Sequence, residues 1–268
     1  MQPADRPGAF DTIVSRPENY VRFLDARTAI DDENHVKQVI ASLLEPQDGL
    51  TVLDVGTGTG ADACQIAAMV APRGKVVGVD LSADMIAEAR KRAASADLPV
   101  EFVQGDAQAL DFADASFDRC RAERIFIHLP DPMAGIGELV RVTRPGGLVV
   151  VSDIDGGTIF VNSSDKELAT RLVLSLTEDL ASGWVGRRLH RYFVDAGLED
   201  VRCVPSVIQN SVVFMRMVFA ARLAQMVDAG ETTDEEVAQF WAELEDGERA
   251  GWLCSGIVCF TVVGRKPA

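Results

Sequence analysis

Asp54 stands inside an otherwise apolar run, Thr51 to Val55, and two residues later the chain breaks into glycines at 56, 58 and 60. A buried carboxylate is costly unless it meets a donor or a cation. The glycines let the main chain turn sharply and meet a ligand where any Cβ would collide. Beside a pyrophosphate such an acid would add repulsion; beside a ligand bearing an ammonium and a sulfonium it would attract. The pattern keeps a second reading open. Gly56, Gly58 and Ala61 also satisfy the dinucleotide form G-x-G-x-x-G/A, with Asp80 at about the 20-residue distance of a ribose-binding acid. Further along, Glu123-Arg124 and His128 are the residues whose types suit work on a second molecule. A histidine near neutral pKa can take the proton of an attacking hydroxyl or amine.

These residues need elements to hold them. Val52, Leu53 and Val55 read as a buried parallel strand, and ADACQIAAMVA after the glycines as a helix with Ala63, Ile66, Ala67 and Val70 on one face. Strand, loop and helix form the first crossover of a doubly wound α/β sheet, in which ligands sit outside the carboxyl ends of the strands. Lys75 to Asp80 gives a second buried strand ending in an acid, with Ser82 placed to cap the next helix. Val100 to Gln104 gives a third strand, turning at Gly105-Asp106-Ala107. A fourth runs from Phe117 to about Ala122 and delivers Glu123 and Arg124 at its end; LVVVSDID is the fifth, ending in Asp153 and Asp155. Asp131 and Pro132 start the helix between them, and Arg144-Pro145-Gly146-Gly147 stops it.

Four motifs in this order resemble the class I S-adenosylmethionine-dependent methyltransferases of the UbiE-like small-molecule type: VLDVGTGTG, VVGVDLS, GDAQAL, and FDRCRAERIFIHLPDP followed by RPGG. The resemblance spans Leu50 to Ile154. It implies a seven-stranded, mostly parallel Rossmann-like sheet with the seventh strand antiparallel, and S-adenosyl-L-methionine as cofactor, released as S-adenosyl-L-homocysteine. By resemblance Asp54, Gly56, Gly58 and Gly60 frame the cofactor, Asp80 takes its ribose, and Leu81 or Met85 lies against the adenine. Asp106 and the Ala107 backbone N–H read the base, and Glu123 and Arg124 contact methyl donor and acceptor. A salt-bridge network that orders a lid is the competing account of Glu123 and Arg124. The activity implied is in-line methyl transfer to an O, N or C atom of a small molecule, with bacterial natural-product biosynthesis as a setting. Glu123, Arg124 and His128 are the catalytic candidates. Cyclase-like chemistry on the same cofactor, or a nicotinamide-dependent oxidoreductase, are the alternatives.

Outside the resemblance, residues 1–45 read as a loose arm and two lid helices, breaking near Asp31 and Asp32 and offering Tyr20, Asp25 and Arg27 as lid residues. Residues 46–156 are the cofactor-binding core, and residues 157–268 hold further helices and the last two strands, DVRCVPSVIQ and GIVCFTVVGRKP. Two helices between those strands, from Ser211 to Glu248, form an insertion that would roof an acceptor pocket. Tyr20, Arg124, Asp155 and Trp184 are the substrate-binding candidates, with Phe214 and Phe219 as further lining.

A net charge of −15 argues against a nucleic-acid partner, whose phosphates call for a basic footprint. The acids between Asp228 and Glu248 read as a solvated helical face. Five cysteines without metal-like spacing suit reduced core thiols rather than a metal site. No run of 18 apolar residues and no apolar leader occurs. The expectation is a cytoplasmic monomer or homodimer acting on a small molecule, without metal or membrane.

Overall fold

The computed structural model describes residues 17–28 and 30–268. The arm expected before Pro17 lies outside the described residues. Two helices open the described chain: α1 (Pro17–Thr28) and α2 (Asp31–Leu44). Asp31, Asp32 and Glu33 occupy the first turn of α2, where acids favour the positive end of the helix dipole; the cap itself is Ile30, without a side-chain bond.

Alternation then builds the sheet. The strands are β1 (Thr51–Val55), β2 (Lys75–Asp80), β3 (Val100–Gln104), β4 (Phe117–Glu123) and β5 (Thr143–Ile154). Between them lie α3 (Ala61–Val70), α4 (Ala83–Ala93) and α5 (Pro132–Val142). Ser82 caps α4 and Asp131 caps α5, as their types predict. After β5 come the two-residue β6 (Phe160–Val161), α6 (Lys166–Glu178), α7 (Val185–Asp195), β7 (Glu199–Gln209), α8 (Val212–Asp228), α9 (Asp234–Ala250) and β8 (Ser255–Arg265).

The sheet runs β3-β2-β1-β4-β5-β8, with β7 on the far edge of β8. Strands β1 to β5 are parallel, and β8 is antiparallel to both β5 and β7. This is the expected seven-stranded, mostly parallel sheet with its last strand antiparallel, with one addition. Gly256 pairs with Gln209 of β7 and with Phe160 of β6, so β6 must continue the edge that β5 occupies. The expected sixth and seventh strands are therefore β7 and β8.

Side chains on successive residues of β1 serve opposite faces. Leu53 and Val55 join Val77, Val79, Val149 and Val151 under α5 and α7, while Val52 joins Val76 and Val150 under α2, α3 and α4. A third apolar cluster holds α6, α8 and α9 together through Leu172, Met215, Phe219 and Trp241. The cap is thus anchored by its own core. A capping box at Thr233 and Glu236 starts α9, and Gly251, at φ 78°, ends it.

Gly78 in β2 pairs with Asp54 across the sheet. A Cβ there would lie 2.7 Å from both Phe102 and Thr57 Oγ1. Gly78→Ala is expected to cost about 1–3 kcal/mol by overpacking. Chemical denaturation measures it, and an unchanged midpoint would contradict the packing described.

Candidate functional site

The bend after β1 is stitched to the end of β2. The N–H groups of Gly56 and Thr57 donate to the Val79 carbonyl at 2.7 and 2.9 Å. Gly56 has φ 76°, and a Cβ on it would fall 2.1 Å from Ile125 Cγ2; only glycine fits. Gly58, at φ 53°, donates its N–H to Asp80 Oδ2 at 2.9 Å, while Ser82 N–H donates to Oδ1 at the same distance. Asp80 is thereby aimed, with lone-pair capacity left on each oxygen for further donors. Burial pushes its carboxyl pKa up, and the two backbone bonds only partly oppose this.

Around this acid the predicted residues divide. Leu81 is 69% exposed, whereas Met85 is 2% exposed and packs in the interior. Asp106 accepts from the N–H of Gln108 and bridges to Ala109, making a closed turn at the end of β3. Ala107 packs against the core beside it. Gly60 precedes α3 as its cap residue, at φ 77°.

Asp54 meets a cation, and the cation belongs to the protein. The β1–β4 register sets Asp54 opposite Arg121, whose Nε lies 3.5 Å from Asp54 Oδ1, and Thr57 Oγ1 donates to Oδ2 at 2.8 Å. Burial raises the Asp54 carboxyl pKa more than the Arg121 charge lowers it. Arg121 also bonds Glu123 at 2.6 Å and reaches Asp62 at 3.5 Å, and Asp62 pairs with Lys37 at 2.6 Å. From Glu123 the chain of charges continues to Arg27 at 3.4 Å, to Glu33 at 3.0 Å and to Arg124 at 2.8 Å. Four cations and four anions balance. Both lid helices, α3 and β4 are tied by it.

Sequence reasoning placed Asp54, Arg27, Glu123 and Arg124 but missed Glu33, Lys37, Asp62 and Arg121. A signal existed for two of them. Glu33 falls on the buried stripe that Val36, Ile40, Leu43 and Leu44 define, and Arg121 sits between buried Cys120 and Ala122. Burial alone would push the Glu33 carboxyl up; the charges of Arg124 and Arg27 and their hydrogen bonds outweigh it and bring it to about 2. Asp153, by contrast, is held at about 6 by burial, against the charge of Arg124 and the N–H groups of Ile127, Ile154 and Phe126.

A cavity of about 450 Å³ opens beside this network, within the range that holds small-molecule ligands. Tyr20, Arg124 and His128 line it, with Phe214 and Phe219 from α8. Asp155 and Trp184 are absent from its lining. The Asp155 carboxylate is engaged by Arg187, through the backbone N–H at 3.0 Å and through Nε and Nη2 at 2.6 and 2.7 Å. Trp184 lies under the same guanidinium, 4.7 Å away. Their pairing serves the start of α7, for which no ligand is needed.

Helix α1 both lines the cavity and packs over the glycine bend. Leu24 lies over the glycine bend, so that a Cβ on Gly58 would meet its Cδ1 at 3.3 Å. Asp25 ties α1 to Arg92 of α4 at 2.9 Å. Phe23 stacks on Phe214 with ring centroids 5.9 Å apart, joining α1 to the cap. Tyr20 lines the cavity and also feels Asp80: burial raises its pKa, the Asp80 charge raises it further, and Arg27 opposes both.

With this geometry in view, residues 46–197 match the family described as methyltransferase domain. The chain belongs to that family. A relative in Streptomyces fradiae, described as an uncharacterized 37.1 kDa protein in a transposon, is 34% identical over 196 residues, 72% of this chain and 55% of the relative. A demethylmenaquinone methyltransferase of Desulfitobacterium hafniense is 35% identical over 113 residues, 41% of this chain and 45% of that protein. The matches thus span about half the length of these curated relatives. Among solved structures, the YcgJ protein of Bacillus subtilis superposes with a TM-score of 0.62 at 20% identity, covering 88% of this chain and 99% of that one. The [4+2]-cyclase SpnF superposes at 0.56 with 21% identity, over 88% and 81% of the two chains. At such identities these structures establish the fold alone, a Rossmann-like sheet with one antiparallel strand.

The depressed Glu33 carboxyl gives stability that is present above about pH 4.5 and lost as pH falls through about 2. Its loss is on the order of 3 kcal/mol. Glu33→Gln is expected to be less stable than the native chain near neutrality, with the gap closing as pH falls across that window. Urea unfolding at several pH values reads this, and a gap independent of pH would refute the assignment.

Proposed function

We propose that the protein is an S-adenosylmethionine-dependent methyltransferase that transfers a methyl group in line to an O, N or C atom of a small-molecule acceptor. The observation that carries the reading is the placement of Asp80. It is aimed by the N–H groups of Gly58 and Ser82 beside a bend where a side chain would collide, and Tyr20 of α1 spans from it to the apolar cavity. The residues present fit the cofactor. Asp80 would accept from the ribose hydroxyls, exposed Leu81 would lie along the adenine, and Asp106 with the Ala107 N–H would read the base. Gly56, Gly58 and Gly60 would leave room for the methionine portion.

The cofactor would supply an already activated methyl on a sulfonium. The protein's task is then to align the acceptor and keep water out. Leu24 and Phe23 of α1 would close the crevice and cavity together. Arg124 and His128 face the acceptor, and His128 would take its proton where the attacking atom arrives protonated. Glu123 would act chiefly through Arg27 and Arg121, holding the lid; Asp54 would keep Arg121 in place beneath it.

The family supports methyl transfer, and the relative from Desulfitobacterium, named for demethylmenaquinone, supports a small-molecule acceptor. Five unpaired cysteines, two of them buried, suit a reducing compartment, and we place the protein in the cytoplasm as a monomer or homodimer. Among the described residues no helix is long and apolar enough to cross a membrane.

Calorimetric titration with S-adenosylhomocysteine and with NAD tests the cofactor, and incubation of cell extract with isotopically labelled methyl donor tests transfer. Binding of the first ligand and labelled product are expected; binding without any labelled product would favour cyclase-like chemistry. Asp80→Ala is expected to weaken S-adenosylhomocysteine roughly 10- to 100-fold with the fold intact. Unchanged affinity would remove Asp80 from the site.

A further inference from the structure

Buried polar atoms in folded proteins nearly always have a hydrogen-bond partner, so each exception calls for an explanation. Among the described residues five buried side-chain atoms lack one: Arg121 Nε, Arg124 Nε, Ser175 Oγ, Asn210 Oδ1 and Arg222 Nε. Only two of these residues, Arg124 and Asn210, line the large cavity. One is a donor and the other an acceptor.

Both are fixed in place. Arg124 sits at the end of β4 in the left-handed region, φ 59°, a conformation that costs a non-glycine residue energy and recurs at functional sites. Its N–H donates to the Ser152 carbonyl at 2.9 Å, and its Nη2 to Glu33 at 2.8 Å. Asn210 closes β7, its N–H donating to the Ser255 carbonyl at 3.0 Å. The neighbouring Gln209 N–H donates to Asp32 at 2.8 Å. Asp32 and Glu33 are consecutive residues in the first turn of α2, so the Arg124 side chain and the backbone beside Asn210 are held to the same turn. The rest of the lining is largely apolar, including Phe23, Ile159, Met215, Phe219 and Ile257.

Building on the methyltransferase reading above, we propose that the acceptor is an apolar molecule with one hydroxyl head of phenol or enol type. The hydroxyl donates to Asn210 Oδ1 and accepts from Arg124 Nε. A single hydroxyl can make both bonds at once. A phenol or enol O–H is more acidic than that of a simple alcohol and is therefore the stronger donor to Asn210 Oδ1, hence phenol or enol over a simple alcohol. The apolar body fills the space under Phe214 and Phe219. An ether or a bare hydrocarbon of the same size leaves Asn210 Oδ1 unpaired, and this sets the preference.

The test uses two probes of nearly one shape, 4-phenylphenol and 4-methylbiphenyl, titrated calorimetrically into the full chain with and without saturating S-adenosylhomocysteine. The phenol is expected to bind about tenfold tighter, and Asn210→Leu to bring the two within about twofold of each other. Thermal unfolding checks that the variant folds, and Asn210→Thr, which keeps an acceptor oxygen, should retain part of the preference. Equal affinities in the native chain, no binding of either probe, or an undiminished preference in a folded Asn210→Leu would overturn the proposal. Failure of S-adenosylhomocysteine to bind would instead count against the methyltransferase reading, and the probe pair without it still decides the head group.

Discussion

The pairing of Asp54 with Arg121 across β1 and β4 is the constraint on which the site depends. Two charges in the middle of a sheet face cannot be left alone: removing either would strand the other in a low-dielectric interior. Here the pair is extended rather than isolated. Arg121 passes the demand for a partner to Asp62 and Glu123, and Glu123 passes it to Arg27, Glu33 and Arg124. The result is a neutral set that the sheet holds at one end and the lid helices at the other. Such networks do not add much net stability over well-packed apolar side chains. What this one does is fix where α1 and α2 sit relative to the end of β4.

That placement makes α1 a single wall with two sides. Leu24 and Asp25 face the glycine bend and α4; Phe23 and Arg27 face the cavity. A ligand at the glycine bend would therefore meet the same helix as a ligand in the cavity. The cap closes the far side with its own apolar cluster, while Ile127, Ile208 and Ile257 from the clusters on the sheet's two faces close the near side. Strand β6 adds a tether there, pairing with the first residues of β8 where the cap chain returns to the sheet.

Much of this was legible without coordinates. The apolar runs of β1, β2 and β5 are buried on both faces and carry their identity in composition; Ser82 and Asp131 announce their helices because a cap needs a short polar side chain. Gly56 was readable as a bend because glycines recur at 56, 58 and 60 directly after an apolar run; the structure supplies the reason, a φ of 76° and Ile125 where a Cβ would fall. Asp155 and Trp184 fall outside the cavity lining. Each has a chemistry suited to a pocket, and each is spent on Arg187, a residue more than thirty positions from Asp155 whose approach local spacing does not reveal.

By itself, then, the sequence determined the order of strands and helices, the glycine bend with Asp80 beside it, and the family those motifs mark, because each is local: periodicity, turn chemistry and spacing act within a few residues. Tertiary structure alone decided which charge answers Asp54, which side chains line the cavity, and that Arg124 and Asn210, 86 positions apart, line it together. Those outcomes depend on strand register and on helices crossing from distant parts of the chain, and a charge or an amide bears no mark in sequence of the partner that burial will bring to it.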